Sequence, residues 1–411
     1  MKGRLLGLFV ALVGVSSCVA PQPSLTPEAG LVELEHSINR IIEEDARYAV
    51  APLPPVDAER TIDPVTFWYF RHPLMGRITG DEALMSNFTT AHPTVSFAPQ
   101  YIGEWHVAVN KLMVSIAANE SPDIALVNHG WLTQLAASGK LADLNTLLPE
   151  SLLADLLPEV RSAYSIGAHL YALPADGFCE VLYYDSAKIE TPPKSWDELS
   201  AIGATQSTPT TLGWMNFQTH LMAAGGKVCD ETRSRVNSPE ALATLHQFLA
   251  WRDSGFTTPD YLMSQEQSFQ LLSYSGRAIT TASSEFMPLA YTISTKSIRV
   301  AAVPGPKGPT SMFCGGALVV FAQNASARRE QITAVLDFLT GPSIQGEAAV
   351  VLGSHPVRKS VREKVVVDAG LSDAFAIAQP RPMHASWARI DGALQETLWR
   401  IYRHTQITNT N

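Results

Sequence analysis

The chain has 411 residues, 46% of them hydrophobic and 17% charged, which is apolar sequence enough for a large core and more length than one ordinary domain uses, so two lobes are expected. A formal net charge of −9, a pI near 5.7 and no cluster of Lys and Arg argue against a nucleic-acid backbone as partner.

The chain opens on Lys2 and Arg4, an apolar run over residues 5–15, then Ser16, Ser17 and Cys18. That is the layout of a signal peptide, too short in its apolar part to span a bilayer as a mature helix. The "VSSC" sequence resembles a bacterial lipobox, which implies lipidation of Cys18 and a membrane anchor; an ordinary secretory signal cleaved near Ala20 is the alternative. Both readings place the protein outside the cytoplasm. Residues 19–29 are rich in Pro, Ser and Ala, as a tether is, and Leu31, Leu34, Ile38 and Ile41 then recur at helical spacing within a 19–61 segment that either packs on a lobe or acts as a stalk.

Residues 65–70 (VTFWYF) predict a strand, residues 76–91 a helix stopped at His92-Pro93, and residues 95–97 a second strand. Trp105, Val109, Leu112, Met113 and Ile116 form a helical stripe, and residues 124–127 a short buried strand with a helix after it from Trp131. This alternation predicts βαβ units with a parallel sheet, whose ligands collect at the carboxyl ends of the strands. Residues 170–199 then read as a crossover between lobes: an apolar bend, a small-residue loop, a strand over 179–184, and "PPKSWDEL" starting a helix at Trp196. Further helices are expected around 239–251 and 265–275, strands at 278–282, 298–303 and 317–321, a helix over 327–339 closed by Gly341-Pro342, and a mostly helical tail beyond Ser372. With Cys18 assigned to the anchor, Cys179, Cys229 and Cys314 remain, each beside apolar or glycine-rich sequence and expected as a small buried hydrophobe.

The crossover "VLYYD…PPKSWDEL", Thr280-Thr281-Ala282-Ser283-Ser284, Gly315-Gly316-Ala317-Leu318-Val319-Val320, and the stretch from Leu339-Thr340-Gly341-Pro342 to His355-Pro356-Val357-Arg358-Lys359-Ser360 follow one another in the order seen in a known family. Together they resemble the extracellular solute-binding proteins of ABC importers, of the carbohydrate and glycerol-3-phosphate type, over most of residues 62–400. The resemblance implies an α/β fold of two periplasmic-binding-protein-like lobes (type II), with 62–174 plus 286–342 in one and 175–285 plus 343–411 in the other, crossing near Tyr171, Ser284 and Gly341. It implies a sugar or glycerophosphate ligand in the interlobe cleft, ABC permease subunits as partners, a monomer and no cofactor.

The same resemblance points to Trp105, His129, Gly315 and Gly316 on one side of the ligand, Trp214 and Arg381 on the other, and Ser283 and Ser284 at the boundary. Serines at a strand end leading into a helix offer hydroxyls and free N–H groups to ligand oxygens, paired glycines let backbone approach closely, and a guanidinium suits an anionic end. N-capping by the serines and core packing by the tryptophans are the plain alternatives. His129 stands where the glycerol-3-phosphate receptors carry a glutamate and Ser354 where they carry a tyrosine, so the phosphate-binding set is only partly kept. Arg71 and His72 are further pocket candidates. No GxSxG, HExxH, GxxxxGK[ST] or GxGxxG motif is present, and the histidines show no metal-ligand spacing. A surface glycan hydrolase using Asp176, Glu180 or Glu285 is the alternative from another class, and a receptor feeding a sensor kinase the alternative within binding.

Overall fold

The computed structural model describes residues 24–47, 64–70, 81–103, 105–205, 214–230, 232–257, 278–288, 297–381, 384 and 386–408. The signal segment with Cys18, the candidates Arg71 and His72, and the helix expected over 265–275 lie outside these residues.

The strands in chain order are β1 (Val65–Tyr69), β2 (Phe97–Tyr101), β3 (Ile124–Asn128), β4 (Ser165–Ile166), β5 (His169–Leu170), β6 (Ala172–Pro174), β7 (Glu180–Asp185), β8 (Ile279–Ser283), β9 (Ile298–Ala301), β10 (Ser311–Met312), β11 (Gly316–Val320) and β12 (Ala378–Gln379). The first sheet runs β2-β1-β3-β11-β6, with β1 parallel to β2 and β3, and β11 antiparallel to β3 and β6. The three parallel strands are joined through helices Asp81–Ala91 and Trp105–Ala118, the βαβ alternation read from the apolar pattern. β2 begins at Phe97, opposite Val65, two residues later than the 95–97 expectation, because the turn after His92-Pro93 takes up the residues between.

The second sheet is β8-β7-β9, antiparallel throughout. All six residues of β7 are buried, and its alternate side chains enter different cores. Val181 and Tyr183 join the first core, which runs from the first sheet across the crossover. Leu182 and Tyr184 join the second, built from helices Trp196–Thr205, Trp214–Ala223, Pro239–Asp253 and Trp387–Thr408.

β9 lies in the 286–342 stretch expected to complete the first lobe, yet it pairs with β7, Leu182 opposite Ala301 and Asp185 opposite Ile298. The chain therefore returns to the first sheet only after β9; local propensity makes a strand of these residues without naming the partner. Gly341, expected at a crossing, is the N-cap of helix Pro342–Leu352, whose Ile344, Ala348 and Leu352 pack in the first core. The passage into the second core comes later, between β12 and helix Trp387–Thr408.

Helix Pro27–Arg47 is neither free nor a stalk within the described residues. Its stripe of Leu31, Leu34, Ile38, Ile41 and Ile42 is buried against Ile390, Leu394, Leu398 and Ile401 of the last helix. Arg400 bonds Glu33, Arg389 reaches Glu44 at 2.7 Å, and Ser234 donates its backbone N–H to Asn39 Oδ1 at 2.7 Å.

Candidate functional site

The two sheets meet where two chain passages lie side by side. Cys179 is bridged to Phe313, and Cys314 donates its N–H to the Phe178 carbonyl at 3.0 Å. Ser284 is tied to the same point: its N–H donates to the Cys179 carbonyl at 2.8 Å and its hydroxyl accepts from the Cys179 N–H at 3.2 Å. Gly177 passes so close to the 354–355 backbone that a Cβ there would stand 2.1 Å from the His355 carbonyl oxygen, so glycine is required at that crossing. Ser354, which stands where the glycerol-3-phosphate receptors carry a tyrosine, accepts the Gly177 N–H at 3.0 Å and so braces the passage.

Arg381 is the centre of charge. It follows β12, which is held by pairing with β10, and is 5% exposed. Its Nη2 lies 3.9 Å from the Met215 sulfur in helix Trp214–Ala223, and a Cβ on Gly130 would come within 3.3 Å of Nη1. The guanidinium thus bridges the turn after β3 in the first lobe and a helix of the second core. Its charge is felt by His129, Tyr164, Glu180, Cys314 and Asp391, which come from both sides.

Burial pushes the Glu180 carboxyl up to about 7, against the opposing pull of the Thr219 hydroxyl bonded to it and of Arg381. Asp391 is likewise raised to about 7 by burial, with Arg381 pulling the other way. His129 is fully buried, and that burial lowers it to about 4, leaving a neutral ring. Its Nε2–H donates to the Ala163 carbonyl at 2.8 Å and the ring lies 4.7 Å from that of Tyr164.

The other candidates are placed as follows. Ser283 accepts the Glu285 N–H at 3.3 Å, capping the short helix Ser284–Phe286, and its hydroxyl is 3.3 Å from the Cys314 sulfur. Gly315 leaves the space that Asp176 occupies: a Cβ would meet its Oδ1 at 2.4 Å. Gly316 donates its N–H to the same Oδ1 at 3.1 Å, and its carbonyl accepts the Tyr164 hydroxyl at 3.0 Å. Trp105 and Trp214 each begin a helix, Trp105–Ala118 and Trp214–Ala223; their side chains lie outside what is described. The structure therefore gathers His129, Ser283, Ser284, Gly315, Gly316 and Arg381 at one interlobe junction.

Met215, Thr219 and Asp391 belong to the same junction and were not singled out from sequence. The available signal was a polar or charged residue inside an apolar helix: Thr219 two residues after Phe217, and Asp391 beside Ile390. Cys179, Cys229 and Cys314 are free thiols, the first two buried. Among the described residues no group of three or more His, Cys, Asp or Glu side chains is placed to hold a metal ion, and no helix is long and apolar enough to cross a membrane.

Two mixed α/β lobes with a buried polar junction between them define a two-lobed binding protein. The sequence profile of the bacterial extracellular solute-binding proteins matches residues 83–374, and the chain belongs to that family. It is 25% identical over 315 residues to a maltotriose-binding protein of Pyrococcus abyssi, covering 70% of this chain and 68% of the relative. In fold it is similar to a solute-binding protein of Thermotoga lettingae bound with alpha-D-tagatose, with TM-score 0.68 and 20% identity over 84% of this chain and 97% of the other. It is similar also to a Mycobacterium tuberculosis protein in complex with glycerophosphocholine, with TM-score 0.66 and 18% identity over 84% and 98%. Family and fold are those of proteins that bind a solute for import, not of enzymes.

Proposed function

We propose that this protein is a lipid-anchored receptor that captures a polyhydroxylated solute, a sugar or a glycerol-phosphate derivative, between its lobes and delivers it unchanged to an ABC permease. The observation that carries this reading is the convergence on Arg381 of polar groups from both sides, His129 from the first lobe and Glu180 and Asp391 from the second. A ligand held from both sides favours the closed form, and such closure offers the permease both lobes at once. Relatives that bind maltotriose, tagatose or glycerophosphocholine support the solute class. The lipobox-like sequence at Cys18 supports anchoring at the outer face of a membrane.

Native mass spectrometry of the protein taken from its own membranes tests both halves of the proposal. The expected spectrum shows a sugar or glycerophosphate adduct and an acyl mass on the peptide that begins at Cys18. A solute of another class, or an unmodified cysteine, refutes the corresponding half.

A further inference from the structure

Five buried polar atoms around Arg381 have no hydrogen-bond partner among the described residues: both amide atoms of Gln218, the Ser386 hydroxyl, Asp391 Oδ1 and His129 Nδ1. Leaving such an atom dry and unpaired is costly, so proteins seldom collect several in one place. These are collected. Gln218 lies one helical turn after Met215, whose sulfur faces Arg381, and next to Thr219, which bonds Glu180. Asp391 and His129 both sense the Arg381 charge. Ser386 precedes Trp387, whose ring carbon would stand 3.7 Å from a Cβ on Gly130, the neighbour of His129. The set spans both lobes, as the contacts of a trapped ligand must.

Gln218 is the most telling member. It is 1% exposed, yet it does not belong to the apolar face that Phe217 and Leu221 send into the second core. It sits between Met215 and Met222, both partly exposed, on the stripe turned toward Arg381. An amide offers two donors and an acceptor from one rigid plane, which matches a pair of neighbouring hydroxyls. The partners around it point the same way: the Ser386 hydroxyl and the His129 ring, which burial keeps neutral, are uncharged orphans of the same set and suit hydroxyl groups.

We propose that Gln218 is a ligand-contact residue that selects a neutral, hydroxyl-rich solute, with Ser386 and Asp391 completing the hydrogen-bond set. The proposal rests on the reading of this junction as the solute site. Arg381 is then an N–H donor to the ligand's hydroxyls.

The test is thermal denaturation and calorimetry on the full protein, with maltose, maltotriose and tagatose as neutral probes and glycerol 3-phosphate as the anionic one. At least one neutral probe is expected to raise the wild-type Tm and glycerol 3-phosphate to leave it unchanged. Gln218→Leu removes an unpaired amide at similar volume, so its ligand-free Tm should equal or exceed the wild type's while affinity for the active probe falls tenfold or more. Ser386→Ala, a smaller change measured alongside, should lose threefold or more. A Gln218→Leu variant that is more stable and binds as the wild type does makes Gln218 a mere buried orphan and overturns the proposal. A wild-type shift with glycerol 3-phosphate alone overturns it while leaving solute capture intact. No shift with any probe removes the solute reading and this inference together.

Discussion

Glu180 shows how one burial decision in the sequence becomes a property of the protein. Its position at the start of β7 puts the carboxyl on the dry side of the crossover, where the Thr219 hydroxyl is bonded to it. The folded chain holds that proton to about 7, against an ordinary value of 4.5. The folded-state value is raised, so the associated stability is present in full below the ordinary value and is lost as pH rises through about 7; Asp391 acts in the same direction. Glu180→Gln cannot ionise. Denaturant titrations should find it equal to wild type near pH 4 and more stable by on the order of 2–3 kcal/mol at pH 8. A variant that is less stable than wild type at pH 8 would mean that Glu180 serves there as a needed counter-ion to Arg381. At this scale sequence was only half informative: the family resemblance pointed to Arg381, whereas Gln218 and Asp391 look like the polar positions of any helix, because which face a helix turns to a neighbour depends on the neighbour.

Among the elements, helix Pro27–Arg47 was legible as a helix and its role was not. A stripe of Leu31, Leu34, Ile38 and Ile41 demands burial, but the surface that covers it belongs to residues 390–401, beyond the reach of any local pattern. With Leu34 fully buried, Leu34→Ala should cost ~2–4 kcal/mol in chemical denaturation, as in any packed core, and a cost under ~0.5 kcal/mol would show that the helix is dispensable to the fold. The strands divide in the same manner. The apolar runs of β3 and β11 and the mixed apolar and aromatic residues of β7 announce covered strands, whereas β9, expected with 286–342 in the first lobe, pairs with β7, because its residues carry alternation without an address.

For the whole molecule, the two lobes are tied to each other at a few direct points. The Thr133 hydroxyl, in the helix that follows β3, donates to the His384 carbonyl at 2.7 Å across the junction, and both groups are buried. A ligand that moves the lobes from 1:99 to 99:1 must favour the closed form by roughly 5.5 kcal/mol, and one hydrogen bond of about 1 kcal/mol is a usable fraction of that. Thr133→Ala should therefore weaken solute binding about three- to tenfold and enlarge the ligand-free particle in small-angle scattering, with little change in the spectrum of secondary structure. Unchanged affinity and dimensions would place closure elsewhere.

The pairing of the 27–47 helix with the last helix has one more consequence. Glu33 and Arg400 are 367 positions apart, so the part of the first helix's apolar flank that the last helix covers stays bare until nearly the whole polypeptide has emerged from the ribosome or the export channel. Assembly of that half is a late, all-or-nothing event, and a prematurely terminated product will be sticky and short-lived instead of partly useful.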